Sequence, residues 1–260
     1  MIALGTALIC ILSGVLAGIS TGFAGLSAAV FIAPMLIVFA GVDSFSAVGI
    51  ALASDVLASA ASALTYARHG NIDLRRGGVL MITVLLSALL GSAVAYLFTS
   101  SLRGESFMGV WLVLATLVLG FRLLLRPGRD SVERRHLPIP DTAVSVICGL
   151  YIGFVCGFQG TGGGLMLLFV LHVLLGFGFK SAVGTSVLIM SATALIGAVS
   201  HFLIGGAPRA DMLLLCMAAT LAAAQGAAVI ANRMQPRILK RITGGLMVIS
   251  GLSMVLARLI

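Results

Sequence analysis

Asp55 is the one carboxylate set well inside a long apolar run, and an acid at membrane depth is expensive enough to mark function. It could relay protons; the plainer alternative is a carboxyl kept neutral or bonded to a neighbouring hydroxyl such as Ser54 or Ser59. The other chemistry-bearing stretch is Gly157-Phe158-Gln159-Gly160-Thr161-Gly162-Gly163-Gly164. Each glycine costs a helix about 1 kcal/mol against alanine, so the run from Gly160 to Gly164 predicts a break. A helix restarting near Gly164 presents free N–H groups and partial positive charge, which suits an anion. Gln159 and Thr161 flank the break, and Thr161 adds a hydroxyl.

A fainter copy lies at Gly22-Phe23-Ala24-Gly25-Leu26-Ser27-Ala28-Ala29, where Gly25 and Ser27 are the site candidates. The separation is constant, 157 − 22 = 135 and 160 − 25 = 135. Ser181-Ala182-Val183-Gly184-Thr185-Ser186, with Ser46-Ala47-Val48-Gly49 as its partner, opens a further apolar run. Ser46 and Ser181 are explained as N-caps, which leaves Thr185 and Ser186 as substrate contacts.

Bland readings absorb other residues. The spacing of Gly14, Gly18 and Gly22, repeated in Gly149, Gly153 and Gly157, is that of glycines that let helices approach. Cys10, Cys148, Cys156 and Cys216 form no CxxC pair and read as buried small hydrophobes. His172 has no ligand-spaced partner, Tyr66 and His201 read as interfacial, and Asp43, Asp73 and Asp211 precede helices as caps. Gly18-Ile19-Ser20-Thr21-Gly22 fits GxSxG, but a nucleophile elbow needs a strand–turn–helix setting that an apolar helix does not give. There is no Walker A motif, so this chain does not itself use ATP, and no metal or cofactor is expected.

These residues sit in a chain of 260 residues that is 60% hydrophobic and 9% charged, with a mean hydropathy of +1.19. Soluble domains carry about a quarter charged residues, so this composition requires a lipid environment. The runs are unbroken and do not alternate, so they are helices rather than barrel strands. The expected class is an all-α polytopic integral membrane protein. Its net charge of +8 belongs to loops between spans, not to a nucleic-acid surface. Its partners are then the bilayer and a small anion, with a homo-oligomer left open.

Ten segments are expected: 2–19, 28–39, 45–67, 77–99 and 107–125, then 143–158, 164–177, 182–204, 212–231 and 242–260. Residues 1–19 lack a basic leader and their pattern recurs from 147, so they read as a retained segment. The second and seventh have about 14 apolar residues, near 21 Å of helix, against a hydrocarbon core of about 30 Å. They either span or re-enter, giving eight to ten spans. The units are 1–125, a basic linker 126–140 holding Arg126, Arg129, Arg134 and Arg135, and 141–260. At the offset of 135, Leu36, Gly41, Gly70, Gly91 and Gly109 meet Leu171, Gly176, Gly205, Gly226 and Gly244. Five segments per half predicts inverted repeats, a plan of secondary transporters. With Arg68, Arg75 and Arg76 in the cytoplasm, the linker, Lys180, Arg233, Arg237, Lys240 and Arg241 fall inside too, leaving Arg103, Arg209, Arg258 and both termini outside.

The glycine break, Ala182-Val183-Gly184-Thr185-Ser186 and the Gly205-Gly206 loop, with their weaker copies, resemble the TauE/SafE sulfite exporter family over nearly the whole chain. That family usually has a proline a few residues after the break; Pro34 stands there in the first half and Phe169 in the second. The resemblance implies a plasma-membrane transporter, in bacteria of the inner membrane, that exports sulfite, sulfonates or related organic acids. The competing expectations are a carrier of another small solute, a passive anion channel and, last, an intramembrane enzyme using Ser20 or a histidine.

Overall fold

A computed structural model describes residues 4–97, 117–118, 120–125, 140–159, 162–205 and 208–259. Expectations for most of the fifth segment, for the linker, and for Gly160 and Thr161 lie outside them, as does the side chain of Gln159. The described elements are α1 (Leu4–Ala24), α2 (Ala29–Ala40), α3 (Ser44–Arg68), α4 (Leu74–Leu97), α5 (Asp141–Gln159), α6 (Gly164–Phe169), α7 (Phe179–Gly205), α8 (Ala210–Arg233) and α9 (Pro236–Leu259). A π-helical turn, Val170–Leu174, continues α6, and residues 120–125 of the fifth segment are helical. No strand occurs among the described residues. Six of these helices are long and apolar enough to cross a bilayer by length and composition: α1, α3, α4, α5, α7 and α8.

The helices are built inside out relative to a soluble bundle. On α5, Ile147, Leu150, Tyr151 and Phe154 are exposed, while Gly149, Gly153, Cys156 and Ile152 face the protein. On α1, Leu8, Leu12 and Leu16 are exposed, while Ser13, Gly14, Ala17, Gly18 and Thr21 are buried. Large apolar side chains outside and small ones inside are what lipid selects, because burying leucine against protein gains little over burying it in acyl chains.

The most extensive pairings are α1 with α8 and α4 with α5. Both are glycine seams. A Cβ on Gly14 would lie 3.0 Å from the Cys216 carbonyl, and one on Gly22 2.6 Å from that of Ala224. Likewise Gly149, Gly153 and Gly157 lie against Thr83, Val84 and Ala88, where a Cβ has no room. Hydroxyls stitch the second seam, with Ser87 Oγ donating to Leu150 O at 2.5 Å and Ser92 Oγ to Gly157 O at 3.2 Å. Gly14, Gly18 and Gly22 of the first seam stand at the offset of 135 from Gly149, Gly153 and Gly157 of the second.

The second and seventh segments are half-length. The 12 residues of α2 span about 18 Å, and 164–174 span about 16 Å, roughly half the hydrocarbon core. Both end alike: Gly41 and Gly176 are left-handed (φ +63° and +66°), and the next N–H returns to Leu36 O at 3.1 Å and to Leu171 O at 2.8 Å. Only glycine takes that φ cheaply, which accounts for the residue at both ends.

At helix starts the aspartates act as expected for α3 and α4. Asp43 Oδ1 accepts the Ser46 N–H at 2.9 Å, and Asp73 Oδ1 accepts that of Arg76 at 3.1 Å. The Ser46 N–H holds the Asp43 carboxyl below the ordinary carboxylate range. Asp211 instead lies within the first turn of α8, paired with Arg209 at 2.9 Å. Ser46 and Ser181 lie inside α3 and α7, so neither is the cap their position implied.

The basic loops gather at one end. Arg76 donates to Leu175 O at 2.7 Å and lies 4.6 Å over the Phe177 ring. Lys180 Nζ donates to Asn232 O at 2.7 Å, and Lys240 lies 5.7 Å over Phe179. At the opposite end a cavity of about 270 Å³ is lined by Thr6, Gly41, Asp43, Ser46, Arg209 and Met212. The end of α2 therefore returns to the end where α1 began.

Candidate functional site

The centre is assembled where the two chain breaks meet. Between α1 and α2, Gly25 is left-handed (φ +62°) and Ser27 follows before the helix restarts. Between α5 and α6, Gly162 and Gly163 are non-helical, and Gly163 is left-handed (φ +66°). The breaks touch: the Gly162 N–H donates to Ser27 Oγ at 3.3 Å, and Gly164 lies against the Gly25 carbonyl with no space for a Cβ.

Asp55, on the buried middle of α3, closes this centre from one side. Its Oδ2 accepts from Ser27 Oγ at 2.6 Å, while its Oδ1 is buried without a hydrogen-bond partner. The residue is 0% exposed. Neither sequence neighbour serves it: Ser54 Oγ donates to Ile50 O, and Ser59 Oγ to the backbone carbonyl of Asp55. From α7, Thr193 Oγ1 donates to Gly162 O at 3.2 Å, and Met190 packs beside Gly162 and Gly164. Thr193 is not among the sequence-based candidates; only its place two turns beyond Ser186 on the same helix points to it.

The remaining candidates divide. Ser186 borders the centre, since a Cβ on Gly25 would lie 2.7 Å from its Oγ, which donates to Val183 O. Thr185 lies elsewhere: its Oγ1 accepts the Asp73 N–H at 3.2 Å, at the end where the basic loops gather. Thus the structure brings together Gly25, Ser27, Asp55, Gly162, Gly164 and Ser186, with Gly163 beside them against Cys156, and leaves Thr185 apart.

Tyr66 is fully buried rather than interfacial, and its hydroxyl donates to Gly22 O at 3.0 Å. Gly22 is among the last residues of α1, whose carbonyls have no partner within the helix. Tyr66→Phe strands that carbonyl, and the expected cost is about 1–3 kcal/mol. It is checked by a lowered unfolding temperature in detergent; an unchanged one would leave the bond without structural weight.

His201 stacks on Phe45 with ring centres 4.1 Å apart, and His172 Nδ1 pairs with Phe177 O at 2.8 Å. Ser20 Oγ donates to Leu16 O at 2.9 Å within α1, which is a buried helical serine and not a nucleophile at a turn. No metal-holding group of three or more His, Cys, Asp or Glu residues occurs among the described residues.

The family model for sulfite exporter TauE/SafE matches residues 10–254. The probable membrane transporter protein YunE of Bacillus subtilis (strain 168) is 25% identical over 219 residues, covering 76% of this chain and 78% of that protein. The probable membrane transporter protein YjnA of the same organism is 24% identical over 263 residues, covering 94% and 98%. No solved structure matches the chain. The names of the relatives describe transport and not catalysis. The chain belongs to the sulfite exporter TauE/SafE family and is a multi-pass membrane transporter rather than an enzyme.

Proposed function

We propose that this protein exports a small anion, such as sulfite, a sulfonate or a related organic acid, across a bacterial inner membrane by alternating access. The observation that carries the reading is the meeting of the two breaks at the Ser27–Gly162 bond, next to a buried acid. Broken half-helices converging at mid-depth are the arrangement in which secondary transporters hold their solute. Substrate contacts are proposed at Gly25, Ser27, Gly162, Gly163, Gly164 and Ser186, with Gln159, Gly160 and Thr161 on the adjoining stretch. Thr185 is proposed at the basic end of the route rather than at the centre. Asp55 is the proton-coupling residue.

The halves 1–125 and 141–260 are the two repeats, joined by the basic linker 126–140, and they rock against each other. Matched glycine seams and matched ends of α2 and the α6 turn support this division. The gathering of Arg76, Lys180 and Lys240 supports a cytoplasmic assignment of that end.

The test is a screen of sulfite, sulfate, thiosulfate, taurine and sulfoacetate on purified protein. A specific anion at about 100 times its dissociation constant stabilises the native state by about 2.7 kcal/mol and raises the unfolding temperature. The same anion is expected to show saturable flux in proteoliposomes. Stabilisation by none of them, or unitary channel conductance in a planar bilayer, would overturn the reading.

A further inference from the structure

A small anion held where the two breaks meet, as proposed for transport, needs a partner for its charge, and the assignment of that partner rests on the proposed site. There the buried carboxyl of Asp55 has one oxygen committed and one oxygen idle. Oδ2 takes the only proton of Ser27, and Ser27 Oγ in turn accepts the N–H groups of Gly162 and Ala29, both at 3.3 Å. Ser27 has nothing left to offer, so Oδ1 is the one polar atom of the pair open to an incoming group.

Among the described residues no neighbouring charge compensates Asp55. The elements packed on α3 are α1, α2, α7, α8 and, through the break, the start of α6. Among their described residues the titratable side chains are Cys10 on α1, Lys180 and His201 on α7, and Asp211, Cys216 and Arg233 on α8; α2 has none. Lys180 is bonded to Asn232 O, His201 is stacked on Phe45, Asp211 is paired with Arg209, and Cys216 Sγ meets Cys10 O at 3.7 Å. Arg233 is the last residue of α8, at the basic end. On α3 itself, Tyr66 is committed to Gly22 O and Arg68 is the last residue of the helix.

An oxyanion facing an ionised Oδ1 would meet like charge. At about 5 Å and an effective dielectric constant of about 20, that repulsion weakens binding by about two orders of magnitude. A protonated Oδ1 reverses the sign of the encounter, because its O–H donates to the anion. The position equivalent to Asp55 at the offset of 135 is Met190, so the centre offers one such proton and not two. We infer that the anion binds and crosses together with a single proton carried on Asp55 Oδ1, so that a monovalent anion moves without net charge. Under this coupling an inward proton gradient opposes release, and net export is driven by the outward gradient of the solute itself. A divalent anion carries one net negative charge outward and is helped by an interior-negative potential.

The test uses the full chain in proteoliposomes with two probes: methanesulfonate, which stays monovalent at every working pH, and sulfoacetate, which is divalent at neutral pH. Methanesulfonate efflux is expected to release one proton per anion outside the vesicle. It should also keep the same rate when a potential of about 100 mV, which biases one net charge about fiftyfold, is imposed. Sulfoacetate efflux should quicken under interior-negative potential. In Asp55→Asn, a fixed neutral mimic of the protonated acid, whatever anion flux remains is expected to be independent of pH and to release no protons. Methanesulfonate efflux that generates current or releases no proton overturns the inference while leaving the transport of anions intact. Movement of neither probe on any gradient, in the wild-type chain, overturns the anion reading and the inference with it. The wild-type measurements decide the matter even if the variant does not fold.

Discussion

Gly162→Ala is expected to fold, reach the membrane and lose transport by about tenfold or more. A Cβ on Gly162 would lie 2.6 Å from Asp55 Oδ2, 2.9 Å from Met190 Cγ and 3.0 Å from Ser27 Oγ. Met190 has a flexible thioether chain that can turn aside. Asp55 and Ser27 are held by their 2.6 Å bond and can yield only by breaking it. A hydrogen bond to a carboxylate is worth about 1.5–3 kcal/mol, equivalent to about 10- to 150-fold in an equilibrium. The loss is therefore concentrated in the site and not in the helix seams. Gly226→Ala is the matched control, because a Cβ there meets nothing within 4 Å. Initial rates of anion flux, normalised to protein in the vesicles, check the pair. Wild-type flux in Gly162→Ala would remove Gly162 from the pathway.

The second large effect belongs to the seams. Gly18→Leu drives a branched side chain into the Thr220 carbonyl, with Ala223 Cβ and Ala224 N each 2.8 Å from the built Cβ. Backbone cannot step aside as a side chain can, so α1 and α8 must separate. Overpacking of this kind costs about 1–3 kcal/mol, and a loss of that size lowers the unfolding temperature by several degrees in a chain of this length. Gly153→Leu is the equivalent change on the α4–α5 seam, where Val84 O and Ser87 Cβ occupy the space. Thermal unfolding in detergent is expected to show comparable losses in both. A loss confined to one variant would mean that the halves do not bear load alike.

Much of the scaffold is legible in the sequence because lipid imposes simple rules. The half-length of α2 and of 164–174, the close approach at Gly14, Gly18 and Gly22, and the capping role of Asp43 all follow from local composition and spacing. The centre is legible only in part. Gly162 and Ser27 can be named from glycine density and a hydroxyl, yet spacing offers Ser54 and Ser59 as partners of Asp55, and the partner is Ser27, 28 residues away. Local spacing ranks sequence neighbours and is blind to a contact made by chain reversal at a break. Tyr66 misleads for a related reason. Tyrosine favours the interface in general, but a buried tyrosine is satisfied when one exposed carbonyl lies within reach, and the end of α1 supplies it. The pattern Val183-Gly184-Thr185-Ser186 offers both hydroxyls to the substrate, whereas helical rotation turns Thr185 toward Asp73 and Ser186 toward Gly25.

The bond between Ser27 and Gly162 joins residues separated by the offset of the proposed repeats, 162 − 27 = 135. Two equivalent positions that touch lie at the point where one half is mapped onto the other, and at that point a pair of separate identical halves would set each residue against its own copy. A serine against a serine does not fit there, because even a bare Cβ at 162 crowds Ser27 Oγ at 3.0 Å. A glycine against a glycine leaves Asp55 without its hydroxyl. On the proposed division into repeats, the unlike pair that completes this centre is therefore available only to two halves that differ in sequence. The lone acid at 55, opposite Met190, belongs to the same divergence. Separately encoded half-proteins could rebuild the helical frame, but only a mixed pair of them could rebuild its middle.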